Sequence, residues 1–200
     1  MKIIVDAMGG DHAPDEIVKG AVMASEEYGV DIILTGRVED VLRSFEKLGY
    51  KDLPPRIEIA NAASVIRMDE DPVEAIREKK DSSMVVGLTM LREGKADAMV
   101  SAGSTGALLT GATLIVRRVR GIRRAALAPV APIGKSGLLM IDVGATAECT
   151  PEQLLQFAYM GRFYAERVLN IERPRIGLLN IGTERTKGGE LQLETYALLE

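Results

Sequence analysis

The sequence predicts an α/β protein in three layers, with helices on both faces of a mainly parallel sheet. Short apolar runs rich in Val, Ile and Leu alternate with longer runs in which apolar residues recur at helical spacing. Several of the short runs end in small polar turns that carry glycine, and strand–turn–helix alternation of this kind is typical of a parallel sheet.

The predicted strands are the short apolar runs. They cover 2–6, 31–35, 56–60, 97–101, 125–132, 138–142 and 175–180. The run 125–132 contains two prolines, so we expect an irregular or edge strand there. The run 138–142 is expected to be buried.

The predicted helices follow these strands and have recognisable ends. They cover 14–28, 38–48, 72–80, 82–93, 104–119, 150–169 and 189–200. Gly29 stops the first helix, Ser104 or Thr105 caps the fifth, and Thr150 opens the sixth. We expect a single α/β domain over 1–200. The last helix is still running at Glu200 without a cap, so the domain is expected to be incomplete at its C-terminal end.

Composition excludes several classes of function. Hydrophobic residues make up 46% of the 200 residues and charged residues 27%, which is typical of a globular protein. No apolar run is long enough to span a bilayer and the N-terminus lacks a signal-peptide core, so a cytoplasmic protein is expected. The single cysteine and single histidine exclude an internal disulfide and a multi-Cys/His zinc site. The net charge of −4 argues against a nucleic-acid partner.

Four predicted strands end in a small, polar turn that contains glycine. These turns are 6–11, 101–106, 142–146 and 180–184. The carboxyl ends of parallel strands share one edge of a sheet, so all four turns are expected to line one cleft. Their backbone N–H groups suit an anion such as phosphate. The alternative is a set of tight connections with ordinary capping.

Five motifs resemble one family in order along the chain. They are VDAMGGDHAP at 5–14, REKKDSSM at 77–84, VSAG at 100–103, DVGA at 142–145 and PRIGLLNIG at 174–182. In these motifs the chain resembles the bacterial phosphate acyltransferases of the PlsX type. Ser104 stands where that family usually has Asn, and 146–148 read Thr-Ala-Glu instead of Asn-Val-Asp. Family members also continue well past Glu200.

The resemblance implies transfer of a long-chain acyl group from acyl carrier protein to inorganic phosphate, as a step toward membrane phospholipids. It implies no metal and no cofactor, a homodimer, and at most peripheral membrane association. It also implies the fold shared by phosphate acetyltransferases and isopropylmalate dehydrogenases. A dehydrogenase itself is disfavoured, because no Gly-x-Gly-x-x-Gly turn follows the first strand.

The resemblance also suggests roles for individual residues. The catalytic candidates are Lys187, Asn180 and His12. The phosphate-binding candidates are Gly9, Gly10, Asp11, Ser101, Gly103, Ser104, Thr105, Gly106, Asp142, Gly144 and Gly182. For His12 the alternative is a turn or capping role. Asp11 and Asp142 are included in the phosphate-binding set as residues of the binding turns. Like charges repel, so these two and Asp6 are expected to order their turns through backbone hydrogen bonds instead of touching the anion. Cys149 is expected to be a bystander.

A basic run stands out on this acidic chain and predicts a docking site for acyl carrier protein, which is itself acidic. It contains Arg117, Arg118, Arg120, Arg123 and Arg124. The alternative is a helix end with solvated arginines. Two other functions stay open: a phosphate acetyl- or butyryltransferase that uses a coenzyme A thioester, and a non-catalytic fragment that only binds acyl carrier protein or phosphate.

Overall fold

The computed structural model describes residues 1–134, 137–146 and 148–200. The chain divides into two compact units, Met1–Arg117 and Arg118–Glu200, and each has its own packing. The single domain expected for 1–200 stays a prediction. Among the described residues, no helix combines the length and the apolar character needed to cross a membrane.

The first unit is built on a sheet of four parallel strands in the order β3-β2-β1-β4. The strands are β1 (Lys2–Asp6), β2 (Asp31–Gly36), β3 (Ile57–Asn61) and β4 (Ala98–Val100). β1 lies inside the sheet, with Val5 opposite Leu34 on one side and Val100 on the other. The carboxyl ends of β1 and β4 therefore lie next to each other.

Two helices cover one face of this sheet, α1 (Asp15–Tyr28) and α2 (Val38–Lys47). Their buried side chains share one core with inward-facing residues of the strands. This core contains Val18, Ala21, Val22, Val41 and Phe45 from the helices with Ile32, Leu34 and Ile57 from the strands. α1 ends at Gly29, as predicted, and the positive φ of 62° there favours glycine.

The opposite face carries α3 (Pro72–Glu78), α4 (Ser83–Arg92) and α5 (Thr105–Gly111). Their core contains Ile76, Met84, Val85, Leu88 and Ala107. α4 lies directly on the sheet, since a Cβ at Gly87 would be 3.1 Å from Cγ2 of Ile4. Helices thus lie on both faces of a parallel sheet, and the predicted three-layer α/β class is confirmed.

The helix predicted over 104–119 is shorter than expected. α5 is α-helical only to Gly111, a π-helical turn follows over Ala112–Val116, and Arg117 adopts a φ of 77°. β-branched residues, which are poor helix formers, occupy 113, 115 and 116. Ser104 caps α5 as predicted, because its Oγ accepts the N–H of Ala107 at 3.3 Å.

The second unit contains two helices, α6 (Pro151–Arg167) and α7 (Glu190–Leu199), which pack against each other. Thr150 and Gln153 form the capping box that begins α6. A small antiparallel pair joins β5 (Val130–Ala131) to β6 (Leu138–Leu139). The prediction of a buried strand over 138–142 is wrong in length and burial, since only two residues pair and Leu138 is half-exposed.

The predicted strand at 175–180 is also wrong. These residues have no regular secondary structure, and Ile176, Leu179 and Ile181 are exposed. A strand requires a hydrogen-bonded neighbour, and among the described residues of this unit no strand lies beside the segment. Its apolar sequence alone could not provide that neighbour.

Candidate functional site

In the first unit, the turns after β1 and β4 meet at Asp6. Asp6 ends β1 and is only 2% exposed. One carboxylate oxygen, Oδ1, accepts the N–H of Met8 at 3.2 Å, and the other, Oδ2, accepts the hydroxyl of Ser101 at 2.8 Å. The Ser101 oxygen in turn accepts the N–H of Gly103 at 3.1 Å. Residues 95 positions apart are thereby joined.

Gly9 fills the space directly over these groups. A Cβ at this position would lie 2.8 Å from Asp6 Oδ2, 2.8 Å from the Gly103 nitrogen and 2.9 Å from Ser101 Oγ. No side chain fits at such distances, so glycine is required for the two turns to approach. The structure therefore brings together the predicted binding residues Gly9, Ser101 and Gly103.

The remaining predicted residues of these two turns are close in sequence but differ in exposure. The Ser104 side chain is buried as the cap of α5, whereas Thr105 and Gly106 are exposed. Gly10, with a φ of 117°, lies against Ala102. Gly10 therefore contacts the partner turn, whereas Gly106 lies against Pro72 at the start of α3.

Asp11 and His12 lie in the same turn as Gly9, and both are exposed. The His12 carbonyl accepts the N–H of Glu16 at 3.2 Å. This contact is consistent with the alternative turn role of His12. Its predicted acid role stays a prediction.

In the second unit, Asn180 and Lys187 shape one pocket of about 400 Å³, which Gly182, Thr183 and Arg185 also line. The Asn180 amide donates to the Lys187 carbonyl at 2.9 Å, and its oxygen accepts the N–H of Ile181 at 2.8 Å. Arg185 forms an ion pair with Glu200. Among the described residues, no carboxylate is paired with Lys187, so its charge is available to an anion.

Asp142 orders the turn that contains Gly144. Its Oδ1 accepts the N–H groups of Leu127 and Ala145, both at 3.2 Å. Its Oδ2 is buried, without a hydrogen-bond partner in the part of the chain that the structure describes. Of the motif departure at 146–148, Ala147 lies outside the described residues.

Two of the four predicted turns do not follow strands of the parallel sheet. The turns 142–146 and 180–184 lie in the second unit, where no parallel strand is found among the described residues. The prediction that parallel strands carry all four turns is therefore wrong for 142–146 and 180–184, because the residues before these two turns have no parallel neighbour among the described residues. The prediction is confirmed for the turns after β1 and β4.

The five arginines of the basic run are all exposed, and none of them forms an ion pair within the described ranges. Arg117 ends the first unit, and the other four belong to the second. Cys149 is partly buried, and desolvation together with the charge of Asp142 raises the pKa of its thiol. A raised pKa disfavours the thiolate, as expected of a bystander.

Comparison with known proteins identifies the family. A family model described as fatty acid synthesis protein matches residues 1–200. The chain belongs to this family. A phosphate acyltransferase of Desulfitobacterium hafniense is 51% identical over 200 residues, which are 100% of this chain and 59% of that protein. A phosphate acyltransferase of Clostridium kluyveri is 52% identical over 201 residues, again 100% of this chain and 59% of that protein.

The chain therefore spans about three fifths of the length of these relatives, and the predicted resemblance to phosphate acyltransferases is confirmed at the level of the family. Two solved structures share the fold. A phosphotransacetylase from Streptococcus pyogenes aligns with a TM-score of 0.68 at 19% identity, over 100% of this chain and 65% of that one. A phosphotransacetylase from Staphylococcus aureus aligns with a TM-score of 0.73 at 21% identity, over 99% and 63%.

Sequence reasoning missed the side-chain link between Asp6 and Ser101. It assigned Asp6 only to backbone hydrogen bonds within its own turn and Ser101 to the anion. The available signal was an acid at the end of one predicted strand and a serine at the end of another.

Proposed function

We propose that this chain transfers a long-chain acyl group from acyl carrier protein to inorganic phosphate, as part of phospholipid synthesis. The observation that carries the proposal is the approach of the turns at Gly9 and Gly103, at the carboxyl edge of a parallel sheet. Ligands of open α/β sheets bind at this edge. The N–H groups of Met8, Gly9 and Gly103 already donate within the turns, so we assign phosphate oxygens to the remaining backbone N–H groups around the two glycines.

In the proposed reaction, a phosphate oxygen attacks the thioester carbonyl carbon. The new C–O bond forms, the C–S bond breaks, and the proton lost by the phosphate is taken up by the thiolate of the carrier protein. Phosphate is already an anionic nucleophile, so positioning and charge stabilisation matter more than a strong base. Lys187 balances negative charge, and the second amide hydrogen of Asn180 remains available to an oxygen.

The exposed arginines of the basic run are proposed as the docking surface for the acidic carrier protein. The homodimer, the cytoplasmic location and the acid role of His12 stay predictions.

The test is release of free acyl carrier protein from a long-chain acyl carrier substrate, with and without phosphate. Phosphate-dependent release is expected. Lys187→Ala is expected to lower the kcat/KM of this release about 100-fold, the usual effect of removing one charge-stabilising group. Lys187→Arg keeps the positive charge and is expected to retain part of the activity. Cys149→Ala serves as the control and is expected to leave release unchanged.

Two other results would contradict the proposal. If acetyl coenzyme A and phosphate release free coenzyme A as fast as the acyl carrier substrate releases free carrier protein, the chain is a phosphate acetyl- or butyryltransferase. Binding of phosphate or carrier protein without turnover would indicate the non-catalytic fragment.

A further inference from the structure

Asp6 has a geometry that suits a role of its own. It lies at the end of a strand with neighbours on both sides, is 2% exposed, and directs its carboxylate oxygens to two different turns. Oδ1 holds the turn after β1 through the Met8 amide. Oδ2 holds the turn after β4 through the Ser101 hydroxyl. One side chain thus fixes both turns.

The Ser101 hydroxyl has a single proton, and that proton is donated to Asp6 at 2.8 Å. The oxygen of Ser101 is then oriented to accept the Gly103 N–H. This hydroxyl therefore has no proton left to donate to a ligand. Its effect on a bound anion is indirect, through the conformation of the turn.

The contact at Gly9 shows how little freedom this arrangement has. The Gly9 Cα lies 3.3 Å from the position that a Cβ on Gly103 would take. A shift of a few tenths of an ångström in the Ser101–Gly103 turn would change which backbone groups of the two turns face a common ligand.

We propose that Asp6 is a positioning residue for phosphate: through the Ser101 hydroxyl and the Gly103 amide, it holds the two glycine turns at the spacing the anion requires. This inference rests on the proposed function. It also changes the role of Ser101, from a group that contacts phosphate to one that transmits the position set by Asp6.

The test compares Asp6→Asn, Ser101→Ala and the double variant. Asparagine with its oxygen toward the Met8 N–H presents an NH2 group to Ser101, so the variant keeps the Met8 contact and removes only the acceptor of the Ser101 hydroxyl. Each single variant is expected to raise the KM for phosphate about tenfold, the size expected when a hydrogen bond to a charged group is lost. The KM for the acyl carrier substrate is expected to stay within about twofold, because only the phosphate-facing turns change.

The double variant shows whether Asp6 and Ser101 act on phosphate binding through one chain of contacts or independently of each other. If Asp6 acts through Ser101, the double variant is expected to have the phosphate KM of Ser101→Ala alone. Multiplication of the two single effects would overturn the inference. Ser101→Ala removes a hydroxyl from a partly exposed site and is expected to fold. If Asp6→Asn fails to fold, the phosphate KM of Ser101→Ala still tests the link between the two turns.

Amide hydrogen exchange gives a readout that needs no substrate. The Gly103 amide is expected to exchange about tenfold faster in Asp6→Asn and in Ser101→Ala, because its acceptor is lost or released. The Ala107 amide, which Ser104 caps in the same turn, is the internal control and is expected to change only in Ser104→Ala. General destabilisation would accelerate both amides together.

These readouts fail in different ways. If the unmodified chain shows no phosphate-dependent release, the proposed function fails, and the exchange of Gly103 still decides whether Asp6 acts through Ser101. If release depends on phosphate but Ser101→Ala leaves both the phosphate KM and the Gly103 exchange unchanged, the inference is overturned while the function stands.

Discussion

Gly9 allows the two glycine turns to contact each other because it has no Cβ. Asp6, Ser101 and the Gly103 amide occupy the space that a Cβ at this position would need. Two of the atoms in the way belong to hydrogen-bonded side chains and the third to the backbone, so none of them moves without breaking the network. Gly20, in the middle of α1, is the opposite case, since a Cβ there meets nothing within 4 Å.

Gly9→Ala is therefore expected to lower the free energy of unfolding by about 2 kcal/mol, within the range for an overpacked site, and to raise the phosphate KM. Urea unfolding and phosphate titration of the rate measure the two effects. Gly20→Ala is the matched control and is expected to raise the free energy of unfolding by about 0.5–1 kcal/mol through helix propensity. A Gly9→Ala protein as stable and active as the unmodified chain would contradict this assignment.

Part of the site was predictable at this scale. The sequence predicts that the turns 6–11 and 101–106 lie at one edge of a parallel sheet, whereas the strand order of the structure shows that their strands are neighbours. The bond between Asp6 and Ser101 did not follow, because a sequence does not reveal which of several nearby donors a carboxylate will choose. The sequence predicted Ser104 both as a possible cap and as a phosphate ligand, and the structure confirms the cap of α5.

At the scale of elements, one ion pair ties the segment after β3 to the end of α3. The Lys79 Nζ lies 2.6 Å from Glu70 Oε2 and donates to the Val65 carbonyl at 2.9 Å. The hydrogen bond from Lys79, and then the backbone N–H of Arg67, hold the pKa of Glu70 below its usual range.

A carboxyl group whose pKa is lower in the folded state contributes stability above its unfolded pKa and loses it as the pH falls through the folded value. Glu70→Gln is expected to destabilise the chain at pH 7 by at most about 1 kcal/mol, since the pair is partly exposed. The difference from the unmodified chain should start to shrink as the pH falls below the ordinary glutamate pKa of about 4.3, and it should be lost as the pH falls through the lower pKa of the folded state.

Urea unfolding midpoints at pH 7 and pH 3 measure this change. Glu46→Gln is the control, because Glu46 is exposed and forms no ion pair among the described residues. A Glu70→Gln effect that is equal at both pH values would show that the pair contributes through packing and not through charge.

Element boundaries show where local sequence stops being informative. Caps at Gly29, Ser104 and Thr150 were predicted, because each depends on residues within one turn of the helix end. The segment 175–180 has the apolar character of a strand and yet is not one. Whether a run of residues pairs depends on a neighbour elsewhere in the chain, and the pattern of the run itself does not contain that information.

At the scale of the whole molecule, charge is unevenly distributed. The chain carries a net charge of −4, yet five exposed arginines lie within eight positions. Such a cluster affects the rate at which an acidic partner is captured more than the strength of the final complex. The three-layer class itself was predictable, since it follows from the order of strands and helices and not from any single residue.

Reversing two of these charges tests the docking proposal. Arg123→Glu/Arg124→Glu is expected to raise the KM for acyl carrier protein about tenfold at low salt and by less than about twofold near 1 M salt, where the screening length is about 3 Å. The phosphate KM should not change. Arg92→Glu/Arg173→Glu makes the same change in net charge at exposed positions outside the run, and an equal effect from this pair would refute a local docking surface.

The position of β1 inside the sheet has a consequence for the order of folding. This strand is synthesised before both of its neighbours, and the second of them, β4, begins only at Ala98. Closing so long a loop carries an entropic cost before any contact is gained, and distant pairings of this kind slow folding. Ser101 is synthesised 95 positions after Asp6. The contact between the two glycine turns, and with it the proposed anion site, can therefore form only when the first unit is nearly complete.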